Sequence, residues 1–149
     1  MIKEDYVSFE VAKLLKDKGF NEHCFCINYP LSKGGHHSII LPNLLNNSMI
    51  PFIDEYKFCR YKEDFITIPT LQMAMKWLRK VHNLHVDSSI YTDTDGDSEH
   101  EYTYTYWDWL IFNSESGRRI AEPQIGCGRY DSYEQACEAA IKYCLEHLI

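Results

Sequence analysis

The stretch EYTYTYWDWLIF, residues 101 to 112, carries six aromatic side chains and decides the fold. Its tyrosines stand at even positions, and its two tryptophans stand at odd positions. Successive side chains of a β-strand point to opposite faces of the sheet, so the stretch predicts a strand with a tyrosine face and a tryptophan face. The fold therefore depends on which of these two faces meets the core.

The strand's hairpin partner precedes it in the chain. Asp95-Gly96 is a two-residue turn signal because both residue types tolerate positive φ. A turn centred there pairs Thr94 with Asp97 and places Tyr102 opposite Ser89. The tryptophan face then collects Leu84, Val86, Ile90, Thr103, Thr105, Trp107, Trp109 and Ile111. The tyrosine face collects His85, Asp87, Ser89, Tyr91, Tyr102, Tyr104, Tyr106 and Asp108. We expect the tryptophan face to meet the helices, with Trp107 and Trp109 in the core.

Three helix starts share a hydroxyl N-cap, and they predict helices from Ser8 to about Lys18, over 71–82 and over 133–148. A third strand, Arg118 to Ile125, follows the turn at 116–117. Pro123 has no backbone N–H, so this strand should lie at an edge. The sequence thus predicts an α+β fold, in which an antiparallel β-meander over 84–125 packs on helices 71–82 and 133–148.

The N-terminal half is expected to add a short hairpin. Residues 22–29 alternate as a strand does, and Ser38–Leu41 can pair back across a turn at 33–35. Residues 42–50 read as irregular, and 56–61 and 64–68 are short strand candidates. The helix at 71–82 is apolar around most of its circumference, so we predict a single domain, 1–149, with a half 1–68 packed on a half 69–149.

Charge is concentrated in one segment. The net charge is −7, and the residues between His82 and Gly117 include eight acidic side chains and no Lys or Arg. Such a segment repels phosphate backbones and attracts cations or basic proteins. The N-terminus lacks the apolar core of a signal peptide, and no long apolar run is present, which predicts a cytoplasmic protein without a membrane partner. In that setting the six cysteines are expected to be reduced, packed thiols.

Patterns that carry chemistry are incomplete. Asp93 begins a stretch like an EF-hand loop, but Ser98 stands where that loop needs Gly and Tyr104 where it needs Glu. The group His23, Cys24, Cys26, His36 and His37 lacks the ligand spacing of a structural zinc site. Cys127 has no clear His partner in the sequence. The sequence therefore predicts no catalytic, cofactor-binding or metal-binding residues.

Three segments carry a resemblance to known proteins. SFEVAKLLKDKGF (8–20), PTLQMAMKWLRKVHNLHV (69–86) and DSYEQACEAAIKYCLEHLI (131–149) resemble a family of small, acidic, uncharacterised bacterial and phage-related proteins. The segments cover about a third of the chain. The resemblance implies a phage or mobile-element context, and it implies neither an activity nor catalytic residues.

The candidate partner surface is the tyrosine face, at His85, Asp87, Tyr91, Tyr102, Tyr104 and Tyr106. It predicts a non-enzymatic interaction protein that binds a protein partner, which is a basic protein or a second copy of the chain. An alternative is an acidic mimic of nucleic acid that binds a basic nucleic-acid-binding protein. The helix–strand–strand–strand–helix order over 70–148 also matches a double-stranded-RNA-binding domain, a lesser alternative because the basic charge is missing. An enzyme using Cys127 or a His is a further reading, and nucleic acid itself is not an expected partner.

Overall fold

A computed structural model of the chain describes residues 4–30, 36–45, 65–96, 101–124 and 128–149. It confirms the α+β fold, with three helices and two antiparallel sheets in the described residues. The chain divides into two compact units, Met1–Ala74 with Ile149 and Met75–Leu148. The packing of half 1–68 on half 69–149 stays a prediction.

The elements follow one another along the chain in this order. They are α1 (Phe9–Asp17), β1 (Cys24–Pro30), β2 (His36–Leu45), β3 (Ile66–Ile68), α2 (Leu71–His82), β4 (Leu84–Gly96), β5 (Glu101–Asn113), β6 (Arg119–Ala121) and α3 (Tyr133–Tyr143), which continues as a π-helical segment, Cys144–Leu148. Of the helices in the described part of the chain, none combines the length and the apolar character that crossing a bilayer requires.

The predicted helix starts are confirmed by their capping bonds. Ser8 Oγ accepts from the Val11 backbone N–H at 3.3 Å, and Ser132 Oγ accepts from the Gln135 backbone N–H at 3.2 Å. Thr70 Oγ1 does the same for Met73 at 3.2 Å. Each bond satisfies an N–H group that the first helical turn leaves without a partner. Helix position was therefore readable from local chemistry.

The first unit is built on a sheet of order β2-β1-β3, with α1 packed on β3. The predicted N-terminal hairpin is confirmed, because β1 pairs antiparallel with β2. The strand β2 continues through Pro42 to Leu45, where we expected irregular chain. The pairing is irregular there, because Cys26 pairs with Ile40 whereas Cys24 pairs with Leu45. An edge strand tolerates the missing N–H of proline. The strand predicted at 56–61 lies outside the described residues.

The second unit is an antiparallel meander of order β4-β5-β6, and α3 packs against β4 and β5. The Trp109 ring contacts Tyr143 of α3, with ring centroids 5.1 Å apart, and the Trp107 ring meets the Tyr133 ring edge-on at 5.5 Å. Trp109 is only 4% exposed, and Ile111 beside it is fully buried. The tryptophan face therefore meets a helix, as the sequence predicts.

The predicted hairpin turn was wrong. Asp95 and Gly96 lie inside β4, opposite Tyr102 and Glu101, and Thr94 pairs with Thr103. The observed register lengthens the hairpin and adds cross-strand pairs of β-branched and aromatic side chains. These pairs stabilise the hairpin more than a turn at Asp95-Gly96 would. Because Tyr102 moves six residues along its partner strand, from Ser89 to Asp95, the slip is even and every side chain keeps its predicted face.

The tryptophan face is buried over only part of its length. The helix α3 begins at Tyr133, which contacts Trp107, so it covers the sheet from Trp107 toward Ile111. Trp107 itself is half-buried, which corrects its predicted place in the core. Farther along, Ile90 is 57% exposed, and Thr103 and Thr105 are exposed. Residues 90–96 and 101–106, called the arm below, thus form a two-stranded ribbon beyond the helix.

The third strand is shorter than predicted. It was expected over 118–125, but β6 covers Arg119–Ala121, and Ile125 lies outside the described residues. The chain leaves the ladder before Pro123, which cannot donate a ladder hydrogen bond. It returns to β5 at Tyr130, whose backbone exchanges hydrogen bonds of 2.8 and 2.9 Å with Trp107.

Trp109→Ala should lower the free energy of unfolding by about 3–5 kcal/mol, through lost burial and the cavity left behind. Trp107→Ala should cost clearly less, because that ring is half-buried. Urea denaturation followed by circular dichroism measures both, with Thr105→Ala on the exposed part of the same face as the control. Equal losses at the two tryptophans would contradict the burial gradient.

The thiols of Cys24 and Cys144 should resist alkylation in the folded protein. Burial raises the pKa of each to about 12. At pH 8 this leaves about one thiolate in ten thousand, and the thiolate is the reactive form. Iodoacetamide labelling read by peptide mass spectrometry checks this, with the urea-unfolded protein as the control. Labelling of both residues at equal rates in the folded and unfolded protein would contradict it.

Candidate functional site

All six residues of the predicted partner surface lie on one face of the β4–β5 hairpin. Tyr91 lies opposite Tyr106, whereas Tyr104 and Tyr102 lie opposite Asp93 and Asp95. His85 and Asp87 are also on this face, opposite Phe112 and Leu110 at the other end of β4. A strand rises about 3.4 Å per residue, so the face extends over roughly 35 Å from His85 to Asp95. His85 and Asp87 therefore do not lie beside the tyrosines of β5, which corrects the predicted neighbours.

The four tyrosines form a row of rings, called the tyrosine ladder below. The Tyr91 and Tyr106 rings stack at 5.8 Å with an interplanar angle of 21°. The Tyr104 ring lies 6.2 Å from the Tyr102 ring on one side and 6.2 Å from the Tyr106 ring on the other. Tyr102 is 59% exposed and Tyr91 is 40% exposed. The ladder thus presents aromatic surface to solvent, which is the common composition of a protein-binding surface.

Carboxylates accompany the ladder on the same face. The Tyr104 hydroxyl donates to Asp93 Oδ2 at 3.3 Å, and the Tyr102 hydroxyl donates to Asp95 Oδ2 at 3.3 Å. The charge of Asp95 and this hydrogen bond raise the pKa of Tyr102. The phenol therefore keeps its proton at neutral pH and acts as a donor. The two pairs are alike, and they stand two residues apart on each strand.

Arg129 completes the site, and the sequence reasoning missed it. Its guanidinium carbon lies 5.2 Å from the Tyr104 ring centroid and 5.0 Å from that of Tyr106. Its Nη2 pairs with Asp93 Oδ2 at 2.9 Å, and its Nη1 donates to the Tyr104 hydroxyl. The contact depends on the long-range pairing of Tyr130 with Trp107, so no local pattern in the sequence could have revealed it.

Gly128 brings Arg129 onto the face by close approach of the backbone. A Cβ at this position would lie 2.4 Å from Asp108 Oδ1 and 2.5 Å from the Pro123 ring, so no larger side chain fits. Burial raises the pKa of Asp108, and the nearby Glu122 carboxylate adds to the effect, although the Trp109 backbone N–H bonded to Asp108 opposes it. The packing of Gly128 thus fixes where the next side chain emerges.

A groove of about 460 Å³ runs along this packing. Its walls include Tyr91, Tyr106, Asp108, Glu122, Pro123 and Arg129. The mixture of phenol, carboxylate and guanidinium groups suits polar side chains of a partner better than an apolar ligand. The groove therefore extends the tyrosine ladder toward β6.

The thiols of the first unit are poorly suited to act as nucleophiles. Cys24 and Cys26 are buried in the first unit, and burial raises the pKa of both thiols, which opposes thiolate formation. Cys127, the nucleophile weighed in the sequence, lies outside the described residues. Within the described ranges, no group of three or more His, Cys, Asp or Glu side chains is arranged to hold a metal ion.

Comparison of the chain with protein-family models, with curated proteins and with solved structures gave no match. The case for a function therefore depends on the chemistry of the tyrosine face.

Gly128→Ala should displace the segment that carries Arg129, because the added methyl would overlap Asp108 and Pro123. Overpacking of this kind costs about 1–3 kcal/mol. Urea denaturation gives the cost, and two-dimensional NMR should show shifted ring signals for Tyr104 and Tyr106 as the guanidinium leaves. Gln124→Ala, an exposed position of the same connection, is the control. Unchanged ring signals in Gly128→Ala would contradict the proposed packing.

Proposed function

We propose that this chain is a small, non-enzymatic cytoplasmic interaction protein whose tyrosine face binds a basic partner protein. The observation that carries the proposal is the exposed tyrosine ladder with Asp93 and Asp95 opposite its rings. Ring faces attract cations, and carboxylates pair with them. A surface of this composition favours Lys and Arg side chains on the protein that covers it.

The two sides of the hairpin differ in the number of acidic side chains. In the described residues of the hairpin, four Asp side chains fall on the tyrosine side, Asp87, Asp93, Asp95 and Asp108, whereas the tryptophan side carries Glu101. Two copies of the chain meeting through this face would bring like charges together across a two-fold axis. A basic partner is therefore favoured over self-association.

A mimic of nucleic acid is the second candidate function. Asp87, Asp93, Asp95 and Asp108 lie on one face of the hairpin and Arg129 pairs with Asp93, so the remaining carboxylates can occupy a site that binds a phosphate backbone. Under this reading the partner is a nucleic-acid-binding protein. Double-stranded RNA is a weaker candidate ligand, although the helix and strand order fits, because these carboxylates repel phosphates.

The cellular context is part of the same proposal. The resemblance of residues 8–20, 69–86 and 131–149 to bacterial and phage-related proteins supports a role in a phage or another mobile element. In that setting a small acidic protein would act on a basic protein of its host. The context rests on the resemblance alone and is independent of the geometry of the face.

Replacement of Tyr102, Tyr104 and Tyr106 together by Ser should abolish capture of the partner from a lysate of the source cell. The rings supply the contact area, and none of the three is buried, since Tyr102 is exposed and Tyr104 and Tyr106 are half-buried, so the fold should persist. Affinity capture followed by mass spectrometry measures the loss. The captured proteins should be basic, and capture should weaken between 50 and 300 mM salt, as charge-assisted contacts do.

Replacement of Thr92, Thr103 and Thr105 by Ser is the matched control, because these residues are exposed on the opposite side of the same arm. This control should capture the same proteins as the wild type. Competition by duplex DNA would favour the mimic, and its failure would favour an ordinary protein partner. If the tyrosine variant folds and still captures the same proteins, the face is not the binding site.

A further inference from the structure

The arm presents the same pair of side chains twice in succession. In each pair a tyrosine hydroxyl of β5 donates to the Oδ2 atom of the aspartate directly opposite on β4, and both bonds measure 3.3 Å. The inner pair is Asp93 with Tyr104, and the outer pair is Asp95 with Tyr102. Because the pairs are two residues apart, they point to the same side and are separated by about 7 Å.

The inner pair already holds a guanidinium. Arg129 lies over the Tyr104 and Tyr106 rings, pairs with Asp93 at 2.9 Å and contacts the Tyr104 hydroxyl. The ring faces and the carboxylate thus act together on one cation. The chain itself thus contains one example of this combination of side chains holding a guanidinium.

The outer pair offers the same groups without such an occupant. Among the described residues no Lys or Arg pairs with Asp95, whose carboxylate bonds to Tyr102 and to the Gly96 backbone N–H. Tyr102 is 59% exposed, and its ring stands beside the Tyr104 ring on which Arg129 rests. A cation placed here would also meet a surface whose hairpin carboxylates outnumber its cations.

We infer that the Asp95–Tyr102 pair is a binding site for an arginine side chain of a partner protein, equivalent to the Asp93–Tyr104 pair that holds Arg129. This rests on the proposed function and deepens it, because it names the side chain that the partner supplies. The guanidinium would lie over the Tyr102 ring and pair with Asp95. It would extend the existing row of rings and cations by one step.

Arginine fits this site better than lysine for a geometric reason. A planar guanidinium can stack on a ring while its edge donates to a carboxylate, and it sheds water more easily than an ammonium group. The ammonium of lysine is a compact, strongly hydrated charge that makes only one of these contacts well. The partner is therefore expected to present an exposed arginine to this pair.

The test uses a fluorescein-labelled peptide, GRGRGRGRG, with lysine and citrulline versions of the same length. Fluorescence anisotropy at 50 mM salt measures its affinity for the full chain. The arginine peptide should bind more tightly than the lysine peptide, and the citrulline peptide, which has lost its charge, should bind least. Equal affinity for arginine and citrulline peptides would overturn the inference.

Variants locate the site. Asp95→Asn and Tyr102→Leu should each weaken binding of the arginine peptide by about three- to fivefold, as expected for the loss of one solvent-exposed cation–π or ion-pair contact. Glu101→Gln removes the same charge at the same end of the arm but on the opposite face, and Thr103→Ala is the neutral control. Both controls should bind more tightly than Asp95→Asn and Tyr102→Leu, because the side chains of Glu101 and Thr103 lie on the face opposite the outer pair.

Arg129→Ala is a second test. Removing this guanidinium leaves the Asp93–Tyr104 pair free to bind an arginine of the peptide, so the peptide should bind more tightly. Weaker binding by this variant would contradict the equivalence of the two pairs. If Asp95→Asn binds no more weakly than Glu101→Gln, the outer pair is not the site, and the inference fails. That failure leaves the proposed function standing, because the proposed function is decided separately by the capture experiment with the triple tyrosine variant.

Discussion

The alternation of side chains along β4 and β5 is the constraint on which the rest of the structure depends. One ribbon must supply both a core face and a solvent face, and the chain separates them by odd and even positions. Trp109 and Ile111 then lie under α3, and the aspartates point away from it. A slip by one residue would exchange the faces and bury charge without a partner. The tyrosine face is therefore fixed by the same pattern that forms the core.

Local chemistry could be predicted from the sequence, and long-range pairing could not. The start of α2 at Leu71 and its end at His82 follow from a hydroxyl cap and helical spacing. The faces of the hairpin follow from alternation, so they survived an error in the register. That error arose because Asp95-Gly96 is a strong local turn signal, while the competing pairs Thr94–Thr103 and Asp95–Tyr102 are visible only once the strands are aligned.

The candidate site shows the same division. All six surface residues were placed on the correct face, because face membership requires only parity. Arg129 was missed, because its position depends on Gly128 fitting against Asp108 and Pro123 and on Tyr130 pairing with Trp107. Gly128 lies twenty positions after Asp108, and Tyr130 lies twenty-three positions after Trp107, so no local pattern in Gly128–Tyr130 predicts these contacts. A site assembled from two distant segments is read from sequence only in part.

The uncovered arm has a consequence for the timing of motion in the second unit. Around Ile111 the paired strands lie under α3, whereas around Gly96 and Glu101 both sides of the ribbon face solvent. A two-stranded ribbon without packing is only marginally stable in water. Amide hydrogens should therefore exchange with solvent in a gradient, slowest at the base and fastest at the tip. Such a gradient lets the tip fray and retwist against a bound surface while the base keeps its alignment.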